Sequence, residues 1–216
     1  MRREAYDRDG FVLAPKVFGV EDVDRLGVEA DRMLDERASG RTWSGSWRDE
    51  NASYSLLTVG DLHRHSEVFR DAGHDARLLG VVSELIGPCQ LVAAMLIVKP
   101  PENGQPFPLH QDSAYYSGKE HAYCIAVLHL DAATSESGAL RFLPGVHREK
   151  NIGHLNSERK SYLDPAAYSM ADTVEVPAKA GDVVCFNIHT PHASGVNTSK
   201  YRRAVVRYGY IPKQAA

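Results

Sequence analysis

A mainly β domain flanked by helices, closing as a sandwich or jelly roll, is the fold class this sequence predicts. Three observations predict it. Apolar runs of strand length recur through the second half, from about residue 89 to 216. Gly, Pro and Asp turns separate those runs, the pattern of all-β architectures. The first half, about residues 1–88, shows helical periodicity with one strand instead. A length of 216 residues suits one domain with a full core, so a single domain over 1–216 is expected.

The elements follow in order. Phe11-Val12-Leu13 is a short strand behind the Asp9-Gly10 turn signal. From Glu21 to Arg37, Val23, Leu26, Ala30, Met33 and Leu34 recur at helical spacing, with Gly40 just past the end. A second helix runs from about Asp75 to Ile86, carrying Leu78, Leu79, Val82, Leu85 and Ile86 on one face before the Gly87-Pro88 stop. Arg41 to His65 shows no period and reads as a long loop or a lid. Its Trp43 and Trp47 are either walls of a substrate site or core anchors of an irregular segment. Strands are expected at Leu91 to Lys99, Tyr123 to Leu130, Leu140 to Leu143, Thr173 to Pro177, Val183 to Ile188 and Ala204 to Ile211.

Composition narrows the function. The chain is 43% hydrophobic and 25% charged with a net charge of -3, so it lacks the basic footprint of a nucleic-acid binder. Leu91 to Val98 is the longest apolar run and is too short to span a bilayer. No apolar run follows the charged start, Met1 to Asp9, so no secretory signal is read there. A soluble cytoplasmic protein with neither nucleic-acid nor membrane partners is expected. Cys89, Cys124 and Cys185 are dispersed and form no CxxC pair, which argues against disulfides and a zinc knuckle. Cys124 and Cys185 read as small buried hydrophobes.

The strongest chemical signal is His110-Gln111-Asp112. In an extended chain, residues two apart point to one face, so an imidazole and a carboxylate there can converge on a metal. Alone the tripeptide is equally a surface hydrogen-bonded pair. Later, Gly181-Asp182 turns into an apolar run, His192 follows with Ser194 two residues on, and Arg203 lies eleven residues past His192. Two histidines and one carboxylate form a facial triad that suits Fe(II) and leaves coordination positions open.

In these stretches the chain resembles the phytanoyl-CoA dioxygenase family of Fe(II)/2-oxoglutarate oxygenases. The resemblance rests on Met95 to Pro101, Pro108 to Asp112, Gly138 to His147, Gly181-Asp182, His192 to Asn197 and Arg202-Arg203-Ala204, in that order and at similar spacing. Asp9-Gly10-Phe11 and Ile86-Gly87-Pro88 fit as well, so nearly the whole chain is covered. The resemblance implies a double-stranded β-helix, the cupin-like jelly roll. It implies that His110, Asp112 and His192 bind Fe(II) and carry catalysis. Arg203 would pair with the distal carboxylate of 2-oxoglutarate, Ser194 would donate a hydroxyl to it, and Met95 and Thr58 fall where relatives contact this co-substrate. Thr58 aligns loosely, some relatives carrying lysine there, and Val127 stands where some carry tryptophan. The implied reaction uses 2-oxoglutarate and O2 as co-substrates, hydroxylates a C–H bond of a small organic molecule, and releases succinate and CO2. Family-like halogenases have a small residue in place of the carboxylate ligand; Asp112 is kept here, which favours oxygen insertion.

Other polar residues carry less. His189 lacks the serine and arginine that follow His192, and reads as structural. His63 and His65 have no third ligand nearby. His147 fits a structural family position, while His121, His129 and His154 have no nameable partner. Lys99 reads as a solvated loop lysine, with a basic residue that meets an acidic substrate near the site as the alternative, and Asp131 and Glu136 read as turn or surface carboxylates. Tyr115 and Tyr116 are candidate substrate walls or cross-strand packing. Desaturation, cyclisation and epimerisation at the same site remain alternatives to hydroxylation. So do a non-catalytic jelly-roll binding protein and a metal-free isomerase. The expected substrate is a metabolite of specialised or amino-acid-like biosynthesis, since one fold hosts many substrates.

Overall fold

The computed structural model describes residues 1–43, 48–50, 55–115, 123–156 and 161–213. The N-terminal half places α1 (Arg2–Asp9), β1 (Phe11–Ala14), α2 (Val20–Ala38), β2 (Arg48–Glu50), β3 (Ser55–Val59), α3 (Leu62–His65), α4 (Glu67–Gly73) and α5 (Ala76–Ile86). The remainder gives β4 (Cys89–Lys99), β5 (Phe107–His110), β6 (Cys124–His129), β7 (Leu140–Phe142), β8 (Leu155–Asn156), β9 (Ser161–Tyr162), β10 (Val174–Val176), β11 (Val183–Asn187), β12 (His192–Ser194) and β13 (Arg203–Pro212).

Two antiparallel sheets build the jelly roll. The large one runs β1-β11-β6-β13-β4-β3-β2, the small one β10-β7-β12-β5. Residues at opposite faces of each central strand therefore serve different layers. On β6, Cys124, Ala126 and Leu128 join the core beneath the helices, whereas Ile125 and Val127 join the core between the sheets. Burial on both faces explains why β6 is a continuous apolar run rather than an alternating one. β13 divides likewise: Ala204, Val206 and Tyr208 face the helices, while Arg203, Val205 and Arg207 line the space between the sheets.

The helical layer is clamped to the large sheet. Val23, Leu26, Ala30 and Met33 of α2 are buried on one stripe, as its period predicts. The Tyr208 hydroxyl donates to the Phe69 carbonyl at 3.0 Å and the Tyr210 hydroxyl to the Gly73 carbonyl at 2.8 Å, tying β13 to α4. At Gly87 the chain leaves α5 with φ 78°, a left-handed conformation that glycine adopts without strain.

Segment 41–65 differs from the loop expected of it. β2 pairs with β3, and β3 pairs with β4, so the segment extends the large sheet. These strands are short and partly polar, which hid them from a search for apolar periodicity. Trp43 is buried in the core beneath the helices, with the Arg41 guanidinium 3.8 Å from its ring centroid and the His65 ring 5.0 Å away. Trp47 and Tyr116 lie outside the described residues, as does His121. Helices α1 and α4, short and rich in charge, are further elements that periodicity did not register. No helix among the described residues is long and apolar enough to cross a membrane.

Candidate active site

The site lies between the sheets, and strand pairing assembles it. His110 ends β5 and His192 begins β12, and the two are cross-strand partners, their ring centroids 4.3 Å apart. Asp112 opens a 3-10 turn directly after β5. The carboxylate thus meets His110 through a turn, not through the extended alternation expected from the sequence. Asp112 Oδ1 stands 3.5 Å from His110 Nε2 and 3.7 Å from His192 Nε2. All three residues are buried, and their three candidate ligand atoms lie within 4.8 Å of one another.

Hydrogen bonding sets the tautomers. His110 Nδ1 lies 2.8 Å from the Pro108 carbonyl and His192 Nδ1 3.0 Å from the Thr190 carbonyl. A carbonyl only accepts, so each Nδ1 carries a proton and each ring turns its Nε2 toward Asp112. Burial, aided by His110, pushes the His192 pKa down to about 3, so this ring is neutral near pH 7. Burial alone would raise Asp112, but Arg207, His192 and His110 outweigh it and hold the carboxyl well below the usual range. Two imidazole nitrogens and one carboxylate oxygen converging in a buried space are the donor set of a non-haem ferrous site. The residues present therefore fit the metal that the sequence implies.

At the other end of the pocket sits a cluster of donors. Arg203 is buried and donates from Nη2 to the Gly138 carbonyl at 2.8 Å, while its buried Nε has no hydrogen-bond partner. Burial lowers its pKa to about 10, so the guanidinium still carries its charge. Lys99 is fully buried and is the ladder partner of Arg203. Its Nζ donates to Ser194 Oγ at 2.8 Å and to the Gly195 carbonyl. The solvated loop lysine expected at this position is thus corrected: Lys99 is the last residue of β4, and strand alternation turns it inward with Ile97. The walls between the two ends are apolar, formed by Ile97, Phe107, Val127, Leu140, Phe186 and Val205. Buried cations in such walls bind anions strongly, because water cannot screen them.

The remaining candidates fall as follows. Ser194 lines the pocket. Met95 is half-buried on β4 opposite Arg207, on the same side of the sheet as Ile97 and Lys99. Thr58 is buried on β3 opposite Ile97. Tyr115 is 52% exposed, with its ring edge-on to His110 at 5.8 Å, so it stands at the margin of the triad. Trp43 is not brought to the site. Arg207, which sequence reasoning passed over, is: it donates to Asp112 Oδ2 from Nε at 3.1 Å and from Nη2 at 2.5 Å. The alternation of Arg203, Val205 and Arg207 was the signal that could have found it. His189 contributes its carbonyl, which accepts from Gln111 Nε2 at 2.7 Å and so helps to hold the residue between the two ligands.

Comparison with known proteins bears on the family and the fold. Residues 6–205 match the family described as phytanoyl-CoA dioxygenase. A probable alpha-ketoglutarate-dependent hypophosphite dioxygenase of Stutzerimonas stutzeri is 24% identical over 99% of this chain and 78% of its own length. An ectoine dioxygenase of Bordetella parapertussis is 26% identical over 94% of this chain and 72% of its own. Among solved structures, the epimerase SnoN in complex with Fe3+, alpha ketoglutarate and nogalamycin RO superposes with a TM-score of 0.80 at 22% identity. That match covers 98% of this chain and 82% of SnoN.

Proposed function

The chain belongs to the phytanoyl-CoA dioxygenase family, and from that premise we propose that it is an Fe(II)- and 2-oxoglutarate-dependent dioxygenase hydroxylating a C–H bond of a small organic metabolite. The balanced reaction takes the C–H compound, 2-oxoglutarate and O2 to the alcohol, succinate and CO2. The observation that carries the reading is the pairing, within one pocket, of three converging metal-ligand atoms with a buried guanidinium whose Nε lacks a partner.

In this reading His110, Asp112 and His192 hold the iron. Bound there, the metal supplies what no side chain can, the activation of O2 coupled to decarboxylation of the keto acid. The protein's own groups do the rest. Arg203, with Lys99 and Ser194, binds the distal carboxylate of 2-oxoglutarate through charge-assisted hydrogen bonds. The apolar walls exclude water and keep reactive species from side reactions. Thr58 and Met95 pack at the co-substrate's flank, and Tyr115 borders the substrate side. Asp112 fills the third ligand position with a carboxylate, which favours hydroxylation over halide transfer. The relatives named for hypophosphite and ectoine act on small molecules, and a small metabolite is the substrate class assigned here.

The test is anaerobic reconstitution with Fe(II) and 2-oxoglutarate, then exposure to O2 with a metabolite library. Succinate should form, and the product mass should rise by one oxygen; loss of two hydrogens or an unchanged mass would indicate desaturation or epimerisation. His110→Ala and Asp112→Ala should abolish turnover. Succinate formation by His110→Ala equal to that of the native chain would overturn the reading.

A further inference from the structure

We propose that Arg207 is the positioning residue of the metal centre, gripping one oxygen of Asp112 so that only the other addresses the ion. The inference rests on the metal-site reading above. Its basis is the division of labour on one carboxylate. Nε and Nη2 of Arg207 both donate to Oδ2, at 3.1 and 2.5 Å. Oδ1, the other oxygen, is the atom that faces both histidine Nε2 atoms. The two side chains are 12% and 10% exposed, so water competes little for either oxygen.

The pair also spans the fold. Arg207 stands mid-strand on β13, between Met95 of β4 and Val127 of β6. Asp112 leaves the end of β5 in the opposite sheet. A residue in a 3-10 turn has less backbone restraint than one within a ladder. The rigid centre of the large sheet therefore supplies, through Arg207, the restraint that the turn lacks.

Two effects of Arg207 on a bound dication oppose each other. Its charge repels the ion, and its grip pre-orients the ligand. The second should dominate. Asp112 lies between guanidinium and metal position and its charge shields one from the other. Without Arg207, moreover, a buried carboxylate loses its compensating cation and is free to turn. Partners that hold metal ligands in this way contribute about 10–100-fold to metal affinity. A free carboxylate could also offer both oxygens and occupy a position that the co-substrates need.

Mn(II) binding to metal-free protein, read from the electron paramagnetic resonance signal of the free ion, tests this. The native chain, His110→Ala, Arg207→Met and Arg207→Lys are compared, with Co(II) visible absorption as a record of the donor set. Arg207→Met should weaken Mn(II) binding roughly 10–100-fold and alter the Co(II) spectrum. Arg207→Lys, which keeps the charge but not the planar two-donor fork, should fall between that variant and the native chain. Native affinity and an unchanged Co(II) spectrum in either variant would overturn the proposal, and Arg207→Lys decides alone if Arg207→Met does not fold. Equal Mn(II) binding by the native chain and His110→Ala would instead refute the metal-site reading itself.

Discussion

Lys99 and Arg203 stand opposite each other across the β4–β13 ladder, both buried and both turned toward the space between the sheets. Each cation also satisfies a buried carbonyl, Lys99 that of Gly195 and Arg203 that of Gly138. In the proposed reading the distal carboxylate of the keto acid adds charge-assisted contacts to both.

From this follows the first prediction. Arg203→Met and Lys99→Met should each raise the Kd for 2-oxoglutarate in Mn(II)-loaded protein by about 10–100-fold, the worth of a hydrogen bond to a charged group. Lys99→Met should also lower the melting temperature of ligand-free protein, because the Gly195 carbonyl and the Ser194 hydroxyl lose their shared donor. Titration calorimetry and thermal melting read the two effects separately. Undiminished affinity in both variants would place the co-substrate elsewhere.

Gly138 provides the second. It has φ +77°, and a Cβ there would run into the Gly195 carbonyl. Its own carbonyl accepts from Arg203 Nη2. Gly138→Ala should therefore act twice. Overpacking and the left-handed backbone should cost about 1–3 kcal/mol of stability in urea unfolding. The displaced carbonyl should release Arg203 and weaken 2-oxoglutarate binding in the same variant. Stability loss with native co-substrate affinity would separate the turn from the site.

Tyr210 gives the contrasting case. Its hydroxyl donates to the Gly73 carbonyl, remote from the pocket on the helical side of the sheet. Tyr210→Phe leaves that acceptor unsatisfied and should cost roughly 1–3 kcal/mol of stability. Binding of Mn(II) and 2-oxoglutarate should remain native, as measured on the folded variant. A change in either affinity would mean that the clamp between β13 and α4 is transmitted to the site.

The sequence made the central strands legible because they are apolar on both faces, β6 above all. The convergence of His110, Asp112 and His192 was legible through the order and spacing of short motifs, and Ser194 and Arg203 line the same pocket. Lys99 was read from its place before Pro100-Pro101, and Arg207 was passed over, although alternation with Ile97 on β4 and with Val205 on β13 assigns each to the inner face. Desolvation makes inward charges rare, and only the opposing sheet reveals what they serve. β2 and β3 were missed because strands this short carry too few side chains for a period. Trp43 could not be placed from sequence, since an aromatic ring suits a core and a pocket equally.

His129 yields the last prediction, through the pH dependence of stability. It is fully buried, neither ring nitrogen has a hydrogen-bond partner, and it faces the same side of the sheet as Val205, its ladder partner. Burial and the Arg203 charge lower its pKa to about 3. Protons therefore bind the unfolded chain, near pH 6.5, before they bind the folded one. Stability from this group is complete above that pH and is lost progressively as pH falls toward the folded value. Between pH 7 and 5 the loss is on the order of 2 kcal/mol, and His192, also lowered to about 3 by burial, adds a loss of the same sign in metal-free protein. Urea unfolding at both pH values should show this acid sensitivity in the native chain. His129→Leu should recover about 2 kcal/mol of the difference, because leucine takes up no proton in either state. Identical pH dependence in the two proteins would mean that the His129 ring is charged in the fold or already hydrated there.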